Sequence, residues 1–241
     1  MPSGCATARL GSVLCHICGT GSSYPDGGCQ VLQVHRAAAS GDLGDLQLTA
    51  GRRLAVGEDI MIGCAPINAQ NAATPTIHAL LRAGVRHFDT APLYGDSERC
   101  LGDAMASADP ALTSGVQLHT KCGLDAEATN FTAPVIRERF ARSLARFHLD
   151  ESGGGRPYTC HTLRVHHPAL TPGTPGLSDS LEDVLHPTQG AVAAMVRLRT
   201  EGAVKHVSMG MNTTLQHNGV APTVDLLRAA LPGTFDSALL A

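Results

Sequence analysis

The feature that most constrains this chain is an alternation of strand, turn and helix that begins near residue 46 and runs to the last residues. Ile60-Met61-Ile62 is a short apolar run stopped by Gly63, the pattern of a buried strand. Thr74-Pro75 then supplies a cap and a first-turn proline, Ile77, Leu80 and Leu81 supply one apolar face, and Gly84 ends the predicted helix. Val85 to Phe88 predicts a second strand ending at Asp89, and Ser97 is placed to cap a helix carrying Leu101 and Met105. Val116 to His119 predicts a third strand, ending at Thr120-Lys121. Thr132-Ala133-Pro134 opens a helix with Ile136, Phe140, Leu144 and Phe147 at helical spacing. Leu163-Arg164-Val165 predicts a fourth strand, ending at His166-His167-Pro168. A helix over Ala191–Thr200 stops at Gly202, Val204–Met209 predicts a fifth strand, Val224–Leu231 a helix and Phe235–Leu240 a sixth strand. Upstream, Leu46–Val56 reads as a small hairpin around Ala50-Gly51.

Strands alternating with helices in this way argue for parallel βα units. The spacing is too uneven for a solenoid, and no internal repeat is present. Polar residues follow the strand ends: Asp89, Lys121, His166 and Asn212. In a βα barrel those ends share one mouth, and in a doubly wound sheet they line one crevice. Both architectures place a site where several strands end.

Composition narrows the function classes. With 43% hydrophobic and 16% charged residues, the chain can bury a sizeable core. A net charge of −3 leaves no basic footprint for nucleic acid or an anionic membrane, and 3% aromatics with no Trp leave no stacking platform for single strands. No apolar run reaches the roughly 18 residues of a membrane span. Gly19-Thr20-Gly21 lacks the third glycine of a dinucleotide fingerprint, and no P-loop occurs. Asn130 and Asn212 each begin a glycosylation tripeptide, read as chance matches in a chain without a secretory signal.

Eight cysteines are too few for a disulfide scaffold, and Cys64, Cys100, Cys122 and Cys160 read as reduced and mostly buried. Cys15-His16-Ile17-Cys18, flanked by Cys5 and Cys29, has the ligand types for zinc, but its outer spacing and its Gly and Ser content favour a disordered extension over residues 1–45. Residues 1–25 hold no Asp or Glu and one Arg, a weak lean toward an organelle transit peptide without its repeated Arg or amphipathic period.

Residues Gly84 to Gly95, then Ser97-Glu98 and Leu101-Gly102, resemble the signature of the aldo-keto reductases. Thr120-Lys121 is similar to that family's third-strand lysine, His166-His167-Pro168 to its His-x-Pro, and Glu201 to Lys205 to the turn before its fifth strand. The resemblance spans roughly residues 58–241 and implies an incomplete (β/α)8 barrel of the TIM type over residues 46–241. Gly210-Met211-Asn212 and Phe235 to Ala241 resemble aldose 1-dehydrogenases, and Thr120 to Gly123 with Pro232-Gly233-Thr234 resembles L-galactose dehydrogenase. The resemblance therefore implies NAD(P)-dependent oxidation of an aldose at C1 to its lactone, with NADP or NAD as cofactor and a small sugar or aldehyde as substrate. The expected location is the cytoplasm, with organelle targeting by residues 1–45 as the alternative, and charge and composition predict no nucleic-acid or membrane partner and no metal. The rivals are a catalytically inactive relative and a general aldehyde or ketone reductase.

The resemblance assigns the catalytic positions to Asp89, Tyr94, Lys121 and His166, and a cofactor contact to Asn212. The chemistry suits those residue types. Moving a hydride from C1 also requires moving the hydroxyl proton, which a free phenol does poorly near neutrality. An ammonium beside it favours phenolate, a carboxylate holds the ammonium in place, and an imidazole fixes the reacting oxygen.

Two departures carry expectations of their own. Lys121 and His166 stand 45 positions apart (121 to 166), with an insertion read over Glu151 to Cys160 that would shift the strand register. The sequence also ends in the sixth strand of a barrel that has eight, so the outer strands are expected to present open edges and cofactor binding to be weak.

Overall fold

The computed structural model describes residues 15–16, 33–35, 56–70, 73–125, 129–150, 155–166, 184–211 and 229–240. Two short strands come first, β1 (Cys15–His16) and β2 (Gln33–His35). A one-turn helix α1 (Val56–Asp59) leads into β3 (Met61–Gly63), α2 (Ala73–Arg82) and β4 (His87–Asp89). Next come α3 (Ser97–Ser107), α4 (Pro110–Thr113), β5 (Gln117–Cys122), α5 (Ala133–Arg146) and β6 (Thr159–His166). Helix α6 (Ala191–Thr200), β7 (His206–Met211) and β8 (Ser237–Leu240) complete the order.

All eight strands join one sheet in the order β1-β3-β4-β5-β6-β7-β8-β2. From β3 to β8 each strand lies parallel to its sequence neighbour, the arrangement of six consecutive βα units of a TIM-type barrel. The edges of that six-stranded block, expected to be open, each carry a further strand: β1 parallel to β3 and β2 antiparallel to β8. Pairing there satisfies backbone donors and acceptors that an edge leaves bare. Of residues 1–45, only these five are described. The predicted hairpin at Leu46–Val56 lies outside the described residues except for Val56, which begins α1, and most of the predicted helix at Val224–Leu231 lies outside them too.

Strand alternation sorts the side chains by chemistry. Leu118 and Cys122 of β5, Leu163 and Val165 of β6, and Val207 and Met209 of β7 belong to the apolar core, with Ile136, Phe140 and Leu144 of α5 and Ala194, Met195 and Leu198 of α6. The intervening positions of the same strands are polar: His119, Lys121, Arg164, His166 and Ser208. TIM-barrel interiors are filled chiefly by branched apolar residues, so this inner face is unusual in its charge.

Helix α5 runs as its spacing predicts, with Thr132 at its N-cap position, where its hydroxyl donates to Asn130 Oδ1, and Pro134 in its first turn. Helix α3 corrects one expectation. Asp96, not Ser97, holds the N-cap position, because the Ser97 hydroxyl is used elsewhere: it donates to the Cys64 carbonyl at 2.7 Å and meets the Thr90 hydroxyl at 2.8 Å. Strand β6 also starts earlier than expected, at Thr159, within the stretch read as an insertion. The register does shift by one there, with Leu118 opposite Cys160 but His119 opposite Thr162, leaving His161 as the extra residue of a bulge.

Gly102 is where α3 approaches the end of α5 most closely. A Cβ there would lie 2.0 Å from the Arg146 carbonyl oxygen. Gly102→Ala is therefore expected to cost about 1–3 kcal/mol, measured as a lowered urea midpoint at unchanged slope.

Candidate active site

Tyr94 sits in the turn between β4 and α3. Its backbone N–H donates to the Ala91 carbonyl at 3.0 Å, and Ser97 N–H donates to the Tyr94 carbonyl at 3.1 Å. Gly95 next to it has φ +61°, a conformation that favours glycine. The turn is pinned from below by Ser97 and Thr90, so the Tyr94 ring is carried over the end of β5. There the Lys121 ammonium lies 4.7 Å from the ring centroid. The His166 ring, at the end of β6, stands edge-on to Tyr94 with centroids 6.0 Å apart.

Lys121 is 3% exposed and forms an ion pair with Asp89 Oδ2, while also donating to the Thr90 carbonyl at 2.8 Å. Burial works against its charge, but the Asp89 carboxylate and the nearby Tyr94 outweigh burial and hold Lys121 above its ordinary pKa. The structure thus brings Asp89, Tyr94, Lys121 and His166 to one end of the sheet, and the shifted register has not separated His166 from Tyr94. Asn212 lies outside the described residues, as do His167 and Pro168.

Beneath these residues is a network that the sequence did not flag. Arg164, 1% exposed, donates through Nε to Asp89 Oδ1 at 3.0 Å and through a terminal nitrogen to the Ser208 hydroxyl at 2.6 Å. Ser237 donates to Ser208 Oγ at 2.9 Å. The one available signal was that Arg164 precedes His166 by two positions on a strand and so shares its face. Glu98, buried behind the site, accepts from Thr120 Oγ1 at 2.6 Å and from Arg146 at 2.6 Å, tying α3 to β5 and α5.

Nucleophilic cysteine chemistry is disfavoured here. Burial pushes the thiols of Cys64, Cys122 and Cys160 far up, with the Asp89 carboxylate adding to the effect at Cys64. No group of His, Cys, Asp and Glu suited to a metal ion occurs among the described residues, and no described helix is long and apolar enough to cross a membrane.

Toward the other end of the sheet lies a row of histidines. His87 Nδ1 and His119 Nε2 are 3.3 Å apart, and the His119–His161 and His161–His206 ring centroids are separated by 5.6 and 4.5 Å. Burial lowers the pKa of all four, with Arg164 and the other histidines adding to the effect at His119, and His206 first among the neighbours that carry His161 down to about 3. The unfolded chain takes up these protons below pH 6.5, while the folded one takes them up only at lower pH, His161 at about 3. Stability is therefore full above pH 6.5 and is lost as pH falls toward about 3. The melting temperature of the native protein is expected to fall through that window, and more shallowly in His161→Gln.

A family model described as the aldo/keto reductase family matches residues 59–220, and this chain belongs to that family. It is similar to L-galactose dehydrogenase of Arabidopsis thaliana, 33% identical over 84 residues that make up 34% of this chain and 26% of that protein. It is also similar to 6-dehydroglucose reductase of Novosphingobium aromaticivorans, 36% identical over 96 residues covering 34% of this chain and 31% of that one. The chain thus matches about a third or less of the length of these curated relatives. Among solved structures, an aldo-keto reductase of the silkworm Bombyx mori superposes with a TM-score of 0.51 at 16% identity, covering 75% of this chain and half of the other.

Proposed function

We propose that this protein is an NAD(P)-dependent oxidoreductase that oxidises an aldose at C1 to the lactone. The observation that carries the proposal is the placement of Tyr94 against the Lys121 ammonium and the His166 ring. That set can hold and move a proton but offers no carrier for a hydride, so its chemistry fits a nicotinamide partner. When bound, an oxidised nicotinamide would supply the hydride acceptor that these side chains lack. Tyr94, beside the Lys121 ammonium, takes the proton of the C1 hydroxyl as the carbonyl forms. Lys121 stays charged throughout, held by Asp89 and the Thr90 carbonyl. His166 orients the reacting oxygen by hydrogen bonding, and Asn212 is proposed to contact the cofactor. The names of the two curated relatives, both sugar-directed, support an aldose over a simple aldehyde.

The test is turnover of the purified full-length protein on L-fucose, D-arabinose and L-galactose with NAD and with NADP, beside reduction of small aldehydes. Lactone formation with at least one sugar, exceeding the rate of aldehyde reduction, is expected. Faster aldehyde reduction would assign a general reductase, and a folded protein without turnover on either class would assign an inactive relative.

A further inference from the structure

Lys121, Arg164, Ser208 and Ser237 stand in register on four adjacent strands, β5 to β8. Two cations are thus directly opposite each other on the inner face, an arrangement that repels unless an anion intervenes. The anion is Asp89, one oxygen on each cation. Both cations and the carboxylate are at most 3% exposed, so little water screens them.

We infer that Arg164 is a positioning residue that acts through Asp89, sharing its carboxylate so that the Lys121 charge is left only partly neutralised toward Tyr94. With an Asp89–Lys121 pair alone, the interior beneath Tyr94 would be neutral. Arg164 makes it singly positive, and Ser208 and Ser237 hold the guanidinium where it must compete with Lys121 for the same carboxylate. The direction is supported by the neighbours of Lys121: Asp89 raises its pKa and Arg164 lowers it. The inference rests on the assignment of Lys121 to the proposed reaction, but its effect on that amine is measurable without turnover.

The chain has two lysines, Lys121 and Lys205, so Lys205 is an internal reference. The full-length protein is treated with trinitrobenzenesulfonate at about pH 9, where only neutral amine reacts, and labelling at each lysine is followed by peptide mass spectrometry. Arg164→Gln lets Asp89 neutralise Lys121 fully, and its labelling relative to Lys205 is expected to slow roughly tenfold. Arg164→Lys keeps the charge and is expected to label Lys121 at the native rate. Unchanged or faster labelling in Arg164→Gln would overturn the inference, faster labelling marking Arg164 as a strut whose loss exposes Lys121. Should Arg164→Gln not fold, Arg164→Lys carries the test, with a native rate supporting the inference and a faster one overturning it. Failure of the proposed reaction is read separately, as turnover that survives Tyr94→Phe.

Discussion

Tyr94→Phe is expected to lower kcat for aldose oxidation by about 10²–10⁴-fold while leaving cofactor affinity close to native. The substitution removes one oxygen from a half-buried ring that packs edge-on to His166 and lies over the Lys121 ammonium. The phenyl ring keeps both contacts, so the fold has no reason to change. What is lost is the atom that exchanges the proton with the substrate hydroxyl. Lys121 cannot replace it, because its ammonium is already committed to Asp89 and the Thr90 carbonyl. Steady-state kinetics with a fluorescence titration of NADPH provide the check. Turnover within a few-fold of native would remove Tyr94 from the mechanism.

Asp89→Asn is expected to have the largest effect on stability. It leaves Lys121 and Arg164 buried side by side with no counter-charge, a situation that costs about 3–5 kcal/mol when one partner of a buried pair is removed. Urea denaturation of the native and variant proteins measures it. The double variant Asp89→Asn with Arg164→Gln removes one of the two stranded cations, and is expected to be more stable than Asp89→Asn alone. If the second substitution adds its own independent loss instead, the three groups are not coupled as the geometry implies.

Much of the fold was legible because local chemistry and tertiary structure agree. Helix α6 spans Ala191–Thr200 as predicted, and Gly202 beyond it takes φ +83°, where a side chain would be strained. The strand ends carrying Asp89, Lys121 and His166 were legible for the same reason, since each closes a short predicted strand with apolar residues on its core face. Ser97 was misread because its hydroxyl satisfies the Cys64 carbonyl, 33 residues away, and that partner is not visible locally. Arg164 was passed over on the same grounds: its carboxylate partner is 75 residues distant, and nothing in Leu163-Arg164-Val165 signals a buried guanidinium. The bulge at His161 and the edge strands β1 and β2 likewise depend on pairing between distant segments.

The central claim is that these four residues serve hydride transfer between a sugar carbon and a nicotinamide. It is tested most directly with an aldose deuterated at C1, incubated with the full-length protein and oxidised NAD or NADP. The expected result is one deuterium on the nicotinamide ring of the reduced cofactor for each lactone formed, with almost none transferred by Tyr94→Phe. Lactone formed with the deuterium released to solvent, or transfer at the native rate by Tyr94→Phe, would contradict it.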